Sequence, residues 1–466
     1  MNPSATFPTI EALEMPVVCN RFALALSQRC LHRWLVLKAL RTFTKGRLQM
    51  DIPGGERLFF GDPTLTEPTA HIQVRNPLPF FIHVARYGGV GLGEAYTDGW
   101  WDTPDLRAVL DWFIINIQSS PQLRGSSQRF KMIGFLKFVN RVHHLLRPNS
   151  LKTSRRNIQE HYDLGNDLYK LWLDPTMTYS AAKYTRSDQS LEEAQIAKYE
   201  ALCQKLHLKA SDHVLEIGCG WGGFSMHAAR TYGCRVTGVT ISQEQFNEAT
   251  KRVKEAGLDH LIEIRFQDYR LITGQFDKIA SIEMLEAVGE KYLETYFAKC
   301  AEVLAPHGIL AVQMITVPDH HFRQLARGTD WIQKHIFPGS LLLAVGRVNE
   351  AIRRTSTLSP LELEDLGQGY ARTMREWFDL FNAKLDAVRA QGFSETFIRK
   401  WNYYLKYCES AFATRNMILP ETSWVATLGT PAMRPIMVST SLLVMLPFLF
   451  ARIYDSPIRP FSIAST

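Results

Sequence analysis

Acidic residues are missing from the whole stretch between Trp112 and Gln159, and that gap organises the charge of this 466-residue protein. Arg124, Arg129, Lys131, Lys137, Arg141, Arg147, Lys152, Arg155 and Arg156 place nine positive charges there, and subtracting nine from the net +7 leaves −2 for everything else. The basicity is therefore local. Its interleaved apolar residues, Phe130 to Phe138 among them, are too many for a solvated nucleic-acid groove. Two readings stay open for the segment: an interfacial helix on anionic lipid, or a linker helix packed on its own protein with solvated cations. Paired cysteines are missing too. The seven cysteines are an odd number with no C-x-x-C, which argues against a disulfide framework or a zinc site and for a reducing, intracellular setting. The N-terminus has no basic-then-apolar order, so no export signal is expected. No apolar run reaches the roughly 20 residues of a spanning helix. The nearest, residues 436–451, contains Ser439, Thr440, Ser441 and Pro447 and reads as a docking or interfacial segment, with a spanning segment as the alternative.

With 46% hydrophobic and 21% charged residues the sequence is neither disordered nor collagen-like, and it is long enough for two or three domains. No internal repeat or low-complexity tract is present. Apolar residues recur at helical spacing over 21–44, and Asp51 to Gly55 (DIPGG) is a turn signal between two short apolar runs, which predicts a hairpin. A strand at Ala70 to Val74 and a helix from Phe80 to Tyr87 complete a small mixed α/β unit. The run Gly88 to Gly93 follows no strand, so tight turns and close packing are expected there in preference to a phosphate loop. Beyond residue 160, short apolar runs at 214–217, 235–239, 262–266, 276–282 and 309–315 alternate with helix-length stretches. That alternation predicts a doubly wound, mainly parallel sheet. A largely helical insertion over 319–415 and a last strand at 422–428 follow.

The chemistry concentrates at Glu216 to Gly223 (EIGCGWGG), directly after the buried-strand pattern Val214 to Ile217. Gly218, Gly220 and Gly222 let the backbone turn tightly against a ligand at the next helix's N-terminus. There is no phosphate-cradling Lys-Ser, and Glu216 stands where a carboxylate can accept a hydrogen bond from a methionine ammonium. S-adenosylmethionine fits this loop better than a nucleotide phosphate. Thr240 and Gln245, after the second strand, supply hydrogen bonds where a dinucleotide enzyme places an acid on the ribose. Phe266, Gln267 and Asp268, after the third, are positioned to flank an adenine.

Further blocks carry a resemblance: His161 to Tyr169 (HYDLGNDLY), Thr178 to Ser180 (TYS), Thr240 to Gln245 (TISQEQ), Ser281 to Gly289 (SIEMLEAVG), Ile336 to Gly339 (IFPG), Tyr370 to Trp377 (YARTMREW) and Gly91 to Trp101 (GLGEAYTDGWW). In this order, over about residues 40 to 430, the sequence resembles the cyclopropane-fatty-acyl-phospholipid synthase family, which includes the mycolic-acid cyclopropane synthases. The resemblance implies a Rossmann-like α/β methyltransferase fold in which Tyr179, Ser180 and Ile282 join the cofactor pocket. Together with the charge and hydropathy pattern it divides the sequence into a lipid-presenting region at 1–120, a basic amphipathic linker at 121–158, the methyltransferase domain at 159–430 and an apolar tail at 431–466, the tail having no counterpart in the family.

The reaction so implied adds a methylene to a cis double bond of a lipid acyl group. An alkene is a poor nucleophile, so the methyl must be aimed at it in a dry channel, the resulting cation needs negative charge or an aromatic face, and a base must remove a proton. In the family that base is thought to be a bound bicarbonate held by a Cys, a Glu, a His, an Ile backbone group and a Tyr. Glu286, Ile315 and Tyr370 match. The Cys position is Ala181 and the His position is Gln313, which keeps a hydrogen-bond donor for an anion. Cys408 matches a family cysteine credited with catalysis, with a buried structural thiol as the alternative. The expectation is a cytoplasmic enzyme at a membrane surface, acting on unsaturated phospholipid, with no nucleic acid as partner and a homodimer compatible with the sequence. The rivals are a methyltransferase that alkylates an acyl carbon to give a methyl or methylene branch, and a non-catalytic lipid-binding protein of the same fold.

Overall fold

The computed structural model describes residues 31–119, 164–326, 328 and 330–426. The basic linker, the start of the HYDLGNDLY block, the apolar tail and the expected domain boundaries near 120, 158 and 430 lie outside these residues. Within them, 31–40 are helical. Strands β1 (Arg47–Ile52) and β2 (Glu56–Gly61) form the hairpin expected from DIPGG. Alternation puts Leu48, Met50 and Ile52 on its buried face. Strand β3 (Ala70–Val74) lies parallel to β1. Helix α1 (Pro77–Tyr87) begins where Pro costs no hydrogen bond, and α2 (Gly89–Thr97) follows after Gly88. Strand β4 (Trp101–Asp102) closes a sheet of order β2-β1-β3-β4, and α3 (Leu106–Ser119) packs behind it.

The glycine run thus opens a helix, and close packing explains Gly91 and Gly93, while Gly88 takes a left-handed φ of +59° between the two helices. A Cβ on Gly93 would sit 2.5 Å from Trp331 Cδ1 and 2.8 Å from Tyr403 Cε1, so only glycine lets α2 approach so near.

The larger half begins with α4 (Leu191–Lys205), whose start carries a reciprocal Ser190 and Glu193 capping box. There follow β5 (His213–Ile217), α5 (Gly223–Tyr232), β6 (Arg235–Thr240), α6 (Gln243–Glu255), β7 (Ile262–Phe266), β8 (Phe276–Ile282), α7 (Leu285–Val288), α8 (Leu293–Val303) and β9 (Leu304–Gln313). Then come α9 (Trp331–His335), α10 (Val345–Thr355), β10 (Leu358–Asp365), α11 (Gly367–Ala383), α12 (Glu395–Ala413) and β11 (Pro420–Ala426). The sheet order is β10-β11-β9-β8-β5-β6-β7, parallel from β9 to β7, with β11 and β10 antiparallel at one side. The doubly wound sheet is as expected. Strand succession reverses between β5 and β8, which opens a crevice at their carboxyl ends.

The stretch 319–415 is largely helical, as expected, with one strand that the sequence did not suggest, β10, at the sheet's edge. Leu361 and Leu363 on β10 are exposed, so pairing with β11 and ion pairs hold the strand: Glu364 accepts Lys205 at 2.6 Å and Lys183 at 2.8 Å. Strand β9 spans 304–313, which leaves Met314 and Ile315 just past the sheet. A single apolar core runs from the small sheet through Trp101 into Trp377 and Trp401 of α11 and α12. Each such large apolar group contributes roughly 1.5–3 kcal/mol by leaving water. Among the described residues no helix is long and apolar enough to cross a membrane.

Candidate active site

The glycine loop leaves β5 at the reversal point. Gly218, Gly220 and Gly222 adopt φ of +85°, +52° and +83°, a left-handed path that side chains disfavour. The amides of Gly218 and Cys219 both donate to Val239 O at 3.0 Å, pinning the loop to β6. Arg252 on α6 donates to the carbonyls of Pro175 (3.0 Å), Thr176 (3.0 Å) and Trp221 (2.8 Å), tying the loop to the segment that precedes Thr178. Trp221 Nε1 donates to Asn166 Oδ1 at 2.8 Å, so the described end of the HYDLGNDLY block closes on the same loop.

A cavity of about 290 Å³ lies over this loop. On the sheet side it is lined by Glu216, Gly218, Gly220, Thr240, Gln245, Gln267, Asp268 and Ile282, and on the helix side by Tyr370 of α11 and Tyr404, Cys408 and Phe412 of α12. Tyr179, Ser180, Glu283, Glu286 and Ile315 also line it.

Glu216 is buried, accepts a hydrogen bond from Ser225 Oγ, and has no ion-pair partner among the described residues. Burial pushes its carboxyl up to about 8, against the pull of the Ser225 hydroxyl and the Lys198 charge. A buried acid of this kind, beside a tight glycine turn without a lysine, fits the α-ammonium of S-adenosylmethionine. Thr240 Oγ1 donates to Gln245 Oε1 at 2.8 Å, holding both polar groups at the end of β6. Gln267 Nε2 donates to Leu271 O at 2.8 Å, and Asp268 pairs with Arg270 at 2.7 Å. Ser180 is fixed from α4, where Lys198 Nζ donates to its hydroxyl and Gln195 Nε2 to its carbonyl, each at 2.8 Å.

The turn after β8 carries two carboxylates. Glu286 accepts the Ile315 amide on one oxygen and has no hydrogen-bond partner on the other, Oε2. Burial, reinforced by the nearby Glu283 charge, pushes Glu286 up to about 8. Glu283 is far better supplied with donors. The Ala181 amide (2.8 Å) and Gln313 Nε2 (2.7 Å) donate to Oε1, and the Tyr370 hydroxyl (2.7 Å) donates to Oε2. Burial raises its carboxyl as well, and these donors together with the Lys198 charge act against that rise. Its backbone lies at φ +49°, an uncommon conformation for any residue other than glycine. Aromatic faces surround the pair. Tyr370 stacks on Phe412 with centroids 4.5 Å apart, Tyr179 lies 5.3 Å from Trp377, and the Tyr179 and Tyr404 hydroxyls meet at 2.9 Å.

The cavity therefore gathers most of the sequence-derived residues: Tyr179, Ser180, Glu216, Gly218, Gly220, Thr240, Gln245, Gln267, Ile282, Glu286, Ile315, Tyr370 and Cys408. Three stand outside its lining. Phe266 is partly exposed at the end of β7 and packs on Phe246 at 6.0 Å. Gly222 acts one step back as the left-handed cap of α5, and Gln313 acts through Glu283. The Cys408 thiol is raised by burial and stays protonated, which suits packing better than nucleophilic attack. Sequence reasoning missed Glu283 and Lys198. Glu283 was visible in SIEMLEAVG as a second carboxylate three residues before Glu286. Lys198 was visible as a lysine on the buried stripe of α4.

Comparison with known proteins agrees with this fold. The family model described as mycolic acid cyclopropane synthetase matches residues 149–421. The tuberculostearic acid methyltransferase UfaA1 of Mycobacterium tuberculosis is 35% identical over 378 residues, covering 84% of that protein and 76% of this one. The cyclopropane-fatty-acyl-phospholipid synthase of Escherichia coli strain K12 is 37% identical over 355 residues, covering 86% of that protein and 75% of this one. The solved cyclopropane synthase MmaA2 from Mycobacterium tuberculosis shares 29% identity at a TM-score of 0.54, covering 98% of that protein and 58% of this one. Mycolic acid cyclopropane synthase CmaA1, solved with SAH and CTAB, shares 27% at a TM-score of 0.55 with the same coverage. The protein belongs to the mycolic acid cyclopropane synthetase family and is an S-adenosylmethionine-dependent methyltransferase.

Proposed function

We propose that the protein transfers a methylene group from S-adenosylmethionine to a cis double bond of a phospholipid acyl group, forming a cyclopropane fatty acid. The observation that carries this reading is the single cavity in which the glycine loop and Glu216 share a space with Tyr370, Tyr404, Phe412 and two carboxylates. The cofactor, when bound, supplies an electrophilic methyl. Glu216 accepts a hydrogen bond from its amino group, Thr240 and Gln245 face its ribose, and Ser180, held by Lys198, fixes the near wall. The rings of Tyr179, Tyr370 and Phe412 exclude water and offer π faces to a cation on the lipid, where a carboxylate adds more than it would in water.

The lipid is drawn from a membrane surface, with the N-terminal elements and the basic linker presenting it. The packing of α2 on Trp331 supports that role, because the helix that starts at Trp331 carries Ile332 and Gln333 of the cavity wall. Incubation with labelled S-adenosylmethionine and unsaturated phospholipid vesicles tests the reading. Label should enter lipid, and NMR of the product should contain cyclopropane ring protons. Vesicles that stay unlabelled would sink it. A second product, a methyl or methylene branch, is favoured by one observation: Ala181 and Gln313 alter the base site. Label in lipid without ring protons selects it.

A further inference from the structure

We infer that Glu283 is the base of this reaction, a carboxylate built into the protein at the position where the family resemblance implies a bound bicarbonate. The inference rests on the proposed methylene transfer. The groups expected to cradle such an anion are the residue at 181, the residue at 313, Tyr370, Glu286 and the Ile315 backbone. Three of these already donate to Glu283: the Ala181 amide, the Gln313 amide group and the Tyr370 hydroxyl, at 2.7–2.8 Å. A fourth, the Ile315 amide, is taken by Glu286. The donors are therefore engaged by the protein's own carboxylates, and a bicarbonate does not fit the site as it stands. The two departures from the family pattern become one coherent set. Ala181 keeps its backbone donor while removing bulk, and Gln313 presents an amide to a carboxylate.

Glu283 also lines the cavity itself, so its remaining lone pairs face the space a substrate would fill. Its backbone at φ +49° carries a conformational cost, and such outliers gather at active sites. The step balances without any further reagent. The alkene π pair makes the first C–C bond to the transferred methyl as the C–S bond breaks and its pair stays on sulfur. Glu283 takes one methyl proton, the freed C–H pair closes the ring, and the proton passes to water when product leaves.

The test uses the full-length protein, unsaturated phospholipid vesicles and labelled S-adenosylmethionine in buffer stripped of carbon dioxide, with bicarbonate or formate then restored. Wild-type turnover should change by less than about twofold, whereas Glu283→Gln and Glu283→Gly should each lose about 100-fold or more. Glycine suits the backbone at φ +49° and empties the cradle, so Glu283→Gly should regain about tenfold on adding either anion, and Glu283→Gln, whose amide still fills it, should not. S-adenosylhomocysteine affinity, measured by calorimetry, should stay within about threefold for both variants, showing that the fold and cofactor cleft persist. The inference is overturned by a wild type that depends on bicarbonate, by a Glu283→Gln variant of near-normal rate, or by a Glu283→Gly variant that neither anion restores. A wild type that labels no lipid overturns the proposed function itself, and the base assignment with it.

Discussion

Binding of S-adenosylhomocysteine at pH 7 is expected to release close to one proton, and the source is Glu216. In the free protein burial holds this carboxyl at about 8, so about nine molecules in ten carry the proton at pH 7. The ligand's α-ammonium replaces the missing counter-charge. A cation within hydrogen-bond reach favours the ionised carboxylate and returns its pKa towards the ordinary range, well below 7. The proton must then leave as the ligand arrives. Isothermal titration calorimetry in several buffers reads this directly, because the observed heat varies with buffer ionisation enthalpy by a slope equal to the protons exchanged. The expected slope is about 0.9 protons released at pH 7, falling to about half a proton by pH 8, where half of the free protein already has Glu216 ionised. Glu216→Gln should abolish the slope and weaken binding about ten- to a hundredfold, the worth of a hydrogen bond to a charged group. Buffer-independent heats in the wild type, or an unchanged slope in Glu216→Gln, would refute the assignment of Glu216 to the ammonium.

Glu286 makes a pH-dependent prediction about stability. Its folded-state pKa is raised to about 8, so between about pH 4.5 and 8 the unfolded protein loses a proton that the folded protein keeps, and wild-type stability falls across that window. Glutamine does not titrate. The Tm advantage of Glu286→Gln over wild type should therefore grow from about pH 5 to pH 8 in thermal melts, and a constant difference would contradict it. Gly93→Ala should lower Tm by overpacking, at a cost of about 1–3 kcal/mol, because its Cβ would lie 2.5 Å from Trp331. A melt matching wild type would mean that α2 can move away. Arg252→Met should weaken S-adenosylhomocysteine binding, since the carbonyls of Pro175, Thr176 and Trp221 lose their shared donor and the glycine loop loses its tie to the preceding segment. An unchanged calorimetric affinity would show that the loop is held without it.

Where burial drives structure, the sequence was readable. Strands β5 to β9 lie inside a parallel sheet covered by helices, so their apolar runs stand out against polar flanks, and EIGCGWGG marks the turn after β5 by glycine alone. Strand β10 was not readable for the converse reason. Its residues LSPLELED are largely exposed, and what holds them is pairing with β11 and the Lys183 and Lys205 ion pairs, the latter made by residues more than 150 positions away in sequence. Gly88 to Gly93 shows a middle case. The absence of a preceding strand argued correctly for packing, but only the fold reveals that the partners are Trp331 and Tyr403.

The site divides along the same line. Glu286, Ile315 and Tyr370 could be placed from their blocks because each block keeps its spacing. Ala181 and Gln313 stood as departures from the family's anion site, since sequence order gives no hint that Glu283 shares the point at which residues 181, 313 and 370 were expected to meet. In space they converge on a single carboxylate. That convergence bears on energetics as well as identity. Two ionised carboxylates in one buried site repel strongly, and one of them must hold a proton at neutral pH. Glu283 has three donors and a nearby lysine, whereas Glu286 has one donor and an unpartnered oxygen, so the proton belongs on Glu286 and the charge on Glu283. A fixed negative charge is then present beside the acyl substrate before any reaction begins. Its occupancy does not depend on the concentration of a diffusible anion, and it is held by donors that need no reorganisation as positive charge develops.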